Sequence, residues 1–436
     1  MTTLRGIATA LRRPGSAADR SAGSPAVGTA VRSPYSAAQA GAAQAGAAGP
    51  GSRRTEPDAP GAADRRAGPR ARGRAWQVIV GLAVVAGLAL GGAACGPRGA
   101  GGAAEDSEGA IALLLPEVKT ARYETADRPA FAGVVERRCP DCEVYYANAD
   151  QDAAIQQQQA ESMLARGADV LVLDAVDAVA AVSIVQQAER YGVPVIAYDR
   201  FIADADVDYY VSFDSELIGY LQGTALVAAL KERAPRTGGD PPGILLVHGS
   251  PTDPNSAELA AGVDRALDGE DIEVLAEYDT PDWSPDKATD WVESQLTQYA
   301  GRVDGIYAAN DAIAGGAIAA MKAAGIEPVP PVTGQDGELA AVQRILTGDQ
   351  YMTVYKAATE QARTAAELAV RVLRGESPRT TAVIDGVPSL LLAPRAVGVN
   401  DIERVIVNGG VHSVDDICTR YYEDACTRAG LLQEAP

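Results

Sequence analysis

From Gly109 onward, short runs of branched apolar residues alternate with longer amphipathic stretches, and this rhythm restricts the fold more than any other feature of the chain. Residues 110–115, 143–147, 170–173, 195–198, 209–213, 244–247, 273–278, 305–308, 331–333 and 352–355 read as strands. Helices are expected between many of them. Residues 153–166 place Ile155, Gln159, Met163 and Leu164 near one face, and residues 176–191 do the same with Val179, Val182, Val185 and Ala188. Strand–helix alternation at this spacing predicts parallel α/β sheets with helices on both faces. Roughly 320 residues of it exceed one compact sheet, so two lobes are expected.

Polar groups gather just after the strands: Asp174, Asp199-Arg200, His248-Gly249-Ser250, Asn310-Asp311, Asp336 and Lys356. In open α/β sheets, ligands bind outside the carboxyl ends of strands, so one crevice can collect all of these. Asp, Asn and Ser also serve there as helix N-caps, and capping or loop support is the role expected of Asp174 and Asp311. Arg200 and Lys356 are donors only and cannot cap an N-terminus, which points to a ligand site. Trp283 stands in a proline-bracketed loop, Thr280-Pro281-Asp282-Trp283-Ser284-Pro285, where an exposed ring suits stacking on a ligand. Trp291 falls on a helical spacing with Ala288, Val292, Gln295 and Tyr299 and is expected in the core.

Charge narrows the function. The first 95 residues hold twelve Arg, no Lys and four acids, leaving 26 of the 38 basic and 54 of the 58 acidic residues for the remainder. A body so acidic repels phosphate backbones, so no nucleic-acid partner is expected. With only His248 and His412 in the chain, neither a His-rich metal site nor a His-dependent triad is expected. The sequence has no GxxxxGK[ST] loop, no GxSxG elbow and no GxGxxG after a strand, so neither an enzyme nor a cofactor is expected.

Residues 1–75 are mostly Ala, Gly, Pro, Ser and Arg and cannot bury enough surface to offset their ordering entropy. They read as a disordered extension, too long for a charged leader, which leaves room for a translation start further downstream. Residues 76–94 form a short apolar run after Arg70, Arg72 and Arg74, and small residues precede Cys95. That is the pattern of a secretory signal, and its end is similar to a bacterial lipoprotein cleavage box, with Gly92 where Leu is usual. Cys95 is the expected lipidation site and residues 95–108 a flexible tether. An uncleaved transmembrane helix is the alternative, although the strongly apolar part is shorter than the roughly 20 residues a span requires.

Four cysteines remain. Cys139-Pro-Asp-Cys142 could be a redox pair or half a zinc site, but it sits in a Pro-containing loop leading into a strand, with no second ligand pair nearby. Outside the membrane, local disulfides Cys139–Cys142 and Cys418–Cys426 are the simpler account, and no metal is expected. Asp204, Asp206 and Asp208 have the acid spacing of a calcium loop, but Tyr209 and Ser215 stand where its Gly and Glu belong. They are read as a turn into the next strand.

The segments VIAYDRF (195–201), DVDYYVSFD (206–214), GSPTDPN (249–255), ANDAIAGGA (309–317), GQD (334–336) and MTVYK (352–356), in this order, resemble the periplasmic-type (type I) sugar-binding proteins of ABC transporters, in particular their xylose-binding group. The resemblance runs from about residue 110 to about residue 412. It implies two Rossmann-like lobes with parallel sheets, joined by a three-stranded hinge: residues 109–214 and 357–388 in one lobe, 215–356 and 389–436 in the other. It also implies sugar contacts at Arg122, Asp199, Arg200, Asn255, Trp283, Asn310, Asp336 and Lys356. The family usually has Trp where Tyr123 stands; Lys119 is a second basic residue nearby, and both count among the expected ligand-binding residues. Ala357 replaces a frequent Pro.

What the resemblance implies is a monomeric, lipid-anchored, extracytoplasmic protein that closes on a monosaccharide and hands it to ABC permease subunits. D-xylose is the expected ligand, with glucose or galactose next. A sugar sensor docking on a membrane receptor would use the same pocket. A sugar-responsive transcription regulator would need an N-terminal helix-turn-helix, which the Ala/Gly/Arg segment does not supply.

Overall fold

A computed structural model describes residues 108–233 and 239–433. The extension, the signal segment, Cys95 and the tether through Ser107 lie outside the described residues. Five strands come first: β1 Gly109–Leu115, β2 Cys142–Asn148, β3 Val170–Leu173, β4 Val195–Tyr198 and β5 Tyr209–Phe213. The chain then crosses into β6 Gly243–His248, β7 Glu273–Asp279, β8 Val303–Ala308 and β9 Thr353–Tyr355. It returns for β10 Ala382–Ile384 and β11 Val387–Leu392, and crosses once more into β12 Arg395–Val397.

The first lobe holds a seven-stranded sheet in the order β10-β11-β5-β4-β3-β1-β2, parallel except for the β10–β11 hairpin. Its inner strands are buried on both faces, which is why β1 and β3 read as continuous apolar runs, GAIALLL and VLVL, rather than alternating ones. The second lobe holds β7-β6-β8, parallel, with the antiparallel pair β12-β9 beyond. Residues 331–333, expected as a strand, appear only as an isolated parallel bridge from Val332 to Ile306. One apolar cluster fills each face of the large sheet and a third fills the second lobe. Helices Ser215–Glu232 and Pro254–Leu267 lie close enough that a Cβ at Gly219 or Gly262 would run into the backbone of the other helix.

Two helices differ from the expected pattern where a polar side chain binds the backbone. Helix Ala153–Ala165 buries Gln156, Ala160, Met163 and Leu164, whereas Ile155 is exposed. Gln156 takes the inward position because its amide donates to the Asp174 carbonyl at 2.8 Å and accepts the Val176 N–H at 2.9 Å. The helix expected over 176–191 begins only at Val182, and Val179 is 63% exposed. Asp177 first closes a turn by accepting the N–H groups of Val179 and Ala180, both at 2.9 Å. Strand β11 pairs with β5 as far as Leu392 opposite Phe213, so a lobe boundary between residues 388 and 389 would cut a strand. The third crossing follows Leu392 instead.

Candidate functional site

The carboxyl ends of β1, β4, β6, β7, β8 and β9 point toward one another across the cleft, and the loops leaving them build one small polar cavity. Asp199 is at its centre. Its φ of 60° turns the chain sharply after β4, and its carbonyl is held by Ser212 Oγ (2.7 Å), Asn255 Nδ2 (3.0 Å) and Tyr210 Oη (3.1 Å). The carboxylate is 2.8 Å from Lys356 Nζ, 3.1 Å from Gln361 Nε2 and 3.4 Å from an Arg122 nitrogen, all at Oδ1. Burial alone would raise its pKa, but the Lys356 and Arg122 cations hold it well below the usual carboxylate range.

Arg122 is itself clamped. Its guanidinium donates to Asp127 at 2.6 and 3.0 Å and to Gln361 Oε1 at 2.7 Å. Tyr123 is buried beside it, the ring 5.3 Å from the Arg122 guanidinium carbon. Arg200 spans the cleft: its NH1 donates to the Ala175 carbonyl at 2.8 Å, and Nε lies 2.9 Å from Asp253 of the second lobe and 3.4 Å from Asp174. Asp174, expected as a cap or loop support, caps no N–H: its carboxyl is wholly buried 3.4 Å from Arg200 Nε, its pKa pushed far up by burial and drawn back by Arg200.

The second lobe supplies the facing wall. Asp253 caps helix Pro254–Leu267 through Oδ1, which accepts the Asn255 N–H at 2.9 Å, and spends Oδ2 on Arg200 and on Trp283 Nε1 at 3.1 Å. Asn310 caps the helix Asp311–Ala323 with Oδ1, leaving its Nδ2 donors for the cavity it lines. Asp336 has φ 107°, fixed by its N–H to the Val354 carbonyl at 2.9 Å. Burial raises its pKa, opposed by Lys356 and Arg122. Asp311 supports that loop as expected, accepting the N–H of Gly337 at 2.9 Å and of Glu338 at 3.0 Å. Gly334 is required, because a Cβ there would strike the Asp311 carboxylate.

Nine of the ten expected ligand-binding residues line the cavity: Arg122, Tyr123, Asp199, Arg200, Asn255, Trp283, Asn310, Asp336 and Lys356. Lys119 does not. Glu117 closes a turn on the Lys119 and Thr120 N–H groups, which leaves Lys119 exposed and sets Thr120 in the wall instead. Trp283 was expected to be exposed but is buried, its ring packed so tightly on Gly249 that no Cβ would fit there. Trp291 is at the rim of the core, half-buried and stacked on Tyr278 with centroids 5.1 Å apart. Sequence reasoning missed Thr120, Asp253 and Gln335. Asp253 had a usable signal, since it precedes a Pro at a helix start.

Three cations, Arg122, Arg200 and Lys356, and three carboxylates, Asp199, Asp253 and Asp336, line the cavity together, so their charges balance. Such a lining suits a neutral ligand rich in groups that both donate and accept. The free space is about 20 Å³, room for one water, so a ring-sized ligand enters only when the walls separate. The lobes touch directly at Arg200–Asp253 and at Thr252 Oγ1, which donates to the Val176 carbonyl at 3.2 Å. A larger cleft of about 790 Å³ lies behind the crossings, but its charged residues Glu360, Arg363 and Arg395 are exposed and none sits at the strand ends described above. Both local disulfides are formed, Cys139–Cys142 and Cys418–Cys426. Among the described residues no helix is long and apolar enough to cross a membrane.

A family model described as periplasmic binding protein domain matches residues 111–377. A D-xylose-binding periplasmic protein of Escherichia coli (strain K12) is 35% identical over 323 residues, covering 72% of this chain and 94% of that one. A D-xylose-binding periplasmic protein of Haemophilus influenzae is 35% identical over 315 residues, covering 70% and 91%. Among solved structures, an ABC transporter solute binding protein from Clostridium phytofermentans with bound β-D-glucose is similar with a TM-score of 0.63 and 25% identity, over 71% of this chain and 99% of that one.

Proposed function

Because the chain belongs to the periplasmic binding protein domain family, we propose that it is an extracytoplasmic receptor that captures a monosaccharide between its lobes and delivers it to an ABC importer. D-xylose is the proposed ligand. The observation that carries this reading is the balanced wall of three cations and three carboxylates at the strand ends, with Trp283 and Tyr123 beside it. A sugar hydroxyl donates and accepts at once, so interleaved carboxylates, amides and cations satisfy it from both sides. Hydrogen bonds to charged groups contribute about 1.5–3 kcal/mol each, so a handful supports micromolar binding. The aromatic faces cover the C–H side of the ring.

Binding proceeds by hinge motion about the three crossings. Opening parts Arg200 from Asp253 and the Asp199 carbonyl from Asn255. The sugar then enters between Asp199 and Arg200 of the first lobe and Asn310 and Asp336 of the second, beside Lys356 at the crossing after β9. Its hydroxyls replace part of the protein's own cross-cleft bonds as the lobes close. The two D-xylose-binding relatives favour the pentose. Calorimetry against a panel of pentoses and hexoses tests the reading. D-xylose should bind tightest; a hexose bound at least as tightly overturns the choice of sugar, and no binding across the panel overturns the receptor role.

A further inference from the structure

The C-terminal tail beyond β12 lies outside the cavity, yet it reaches the loop that builds one wall. Ile402, Val405, Ile406 and Ile417 of the tail pack on Val342, Ile345 and Leu346 of helix Leu339–Thr347, in an apolar cluster separate from the lobe cores. Cys418–Cys426 clips the tail, and Gln343 on the helix donates to the Ile417 carbonyl at 3.2 Å. Seated this way, the tail carries His412 to the loop that leads into the helix. Its Nε2 lies 2.9 Å from the Gly337 carbonyl oxygen. A carbonyl only accepts, so Nε2 bears the proton and donates.

Gly337 follows Asp336 directly, and both have positive φ, 107° at Asp336 and 75° at Gly337. A non-glycine residue in that region persists only where its surroundings hold it. The holding comes from two sides. Asp311 takes the Gly337 and Glu338 N–H groups from within the lobe, and His412 takes the Gly337 carbonyl from the tail. The Gly337–Glu338 peptide is therefore pinned at both its polar ends, and the Asp336–Gly337 peptide before it is held through its N–H by Asp311.

Taking Asp336 as a ligand contact, as proposed above, we propose that His412 is a positioning residue for the sugar site: from the tail it fixes the Gly337 peptide and so aims the Asp336 carboxylate. Calorimetry with D-xylose on the full chain, with thermal unfolding alongside, tests this in His412→Ala, His412→Gln, Asp336→Asn and the His412→Ala/Asp336→Asn pair. His412→Ala should weaken xylose binding roughly threefold to tenfold, the worth of one hydrogen bond. His412→Gln keeps an N–H donor and should recover most of that loss. In the Asp336→Asn background, His412→Ala should cost less than twofold, because its effect passes through the carboxylate. A mere packing role predicts equal losses in both backgrounds and no rescue by Gln, and either result overturns the positioning role. So does a His412→Ala affinity within twofold of the parent while Asp336→Asn binds weakly. Unchanged binding in Asp336→Asn instead overturns Asp336 as a ligand contact, and the role of His412 with it.

Discussion

Asp199 and Asp311 are both buried carboxylates, and their surroundings push them in opposite directions. Asp199 has Lys356 and Arg122 beside it, so its folded pKa is depressed and its stabilisation is present above the unfolded pKa and lost in acid. Asp311 is pushed up to about 7 by burial, with Asp336 adding and Arg344 opposing. Between about pH 4 and about pH 7 the folded chain therefore keeps a proton at Asp311 that the unfolded chain releases, and stability falls as pH rises through that window. Urea unfolding from pH 4 to pH 8 should show a shallower fall in Asp311→Asn than in the parent; an unchanged slope would mean that Asp311 ionises normally. For binding, Asp336→Ala should cost roughly 1.5–3 kcal/mol in sugar affinity by calorimetry, since it deletes a charged partner. Trp291→Phe should leave affinity unchanged, because Trp291 stacks on Tyr278 at the core rim and not on the cavity. Residue types were the legible part of the site. Arg and Lys after strands could not be caps, and they proved to line the cavity, whereas the exposure of Lys119 depends on a turn closed by Glu117 that no spacing announces.

At the scale of elements, the short parallel strands announced themselves because burial on both faces makes them apolar throughout. The helices were harder to place. Gln156 occupies an inward position for its two backbone hydrogen bonds, and a pattern that counts only apolar side chains rotates the helix away from it. Strands β10, β11 and β12 went unread, because partly buried segments near crossings lack a strong period. Helix-on-helix contact in the second lobe depends on Gly219 and Gly262, where the two backbones meet without a side chain between them. Gly262→Ala should force the helices apart and cost roughly 1–3 kcal/mol in urea unfolding, as overpacking does. A loss below about 0.5 kcal/mol would show that the contact relaxes freely, since changes of that size are ordinary for surface sites.

At the scale of the whole molecule, the two lobes are linked by three crossings, and the cavity exists only where their strand ends converge. Charge is distributed on the same scale: the strongly acidic body follows an Arg-rich N-terminal stretch. Cys95 stands at their boundary, and lipidation there would keep the receptor at the membrane next to a permease. Two acyl chains would hold it stably where one would not. Cys95→Ser should move the protein from the membrane fraction to the soluble fraction, and mass spectrometry of the parent should find the mature N-terminus at Cys95. A mature peptide from upstream of Trp76 would exclude that anchor.

The alternation of strands and helices and the donor or acceptor character of the site residues are legible along the chain. Apolar periodicity depends on neighbours along the chain, and groups such as Arg200, Lys356 and Asp199 keep their donor or acceptor character wherever they stand. Which of these groups meet depends on the packing of the folded chain. Arg200 pairs with Asp253, and His412 reaches Gly337 across 75 residues of chain. Trp283 is buried against Gly249 rather than displayed on its loop. Contacts of this kind are set by how two lobes and a tail pack, and packing joins residues whose separation along the chain carries no periodic signal.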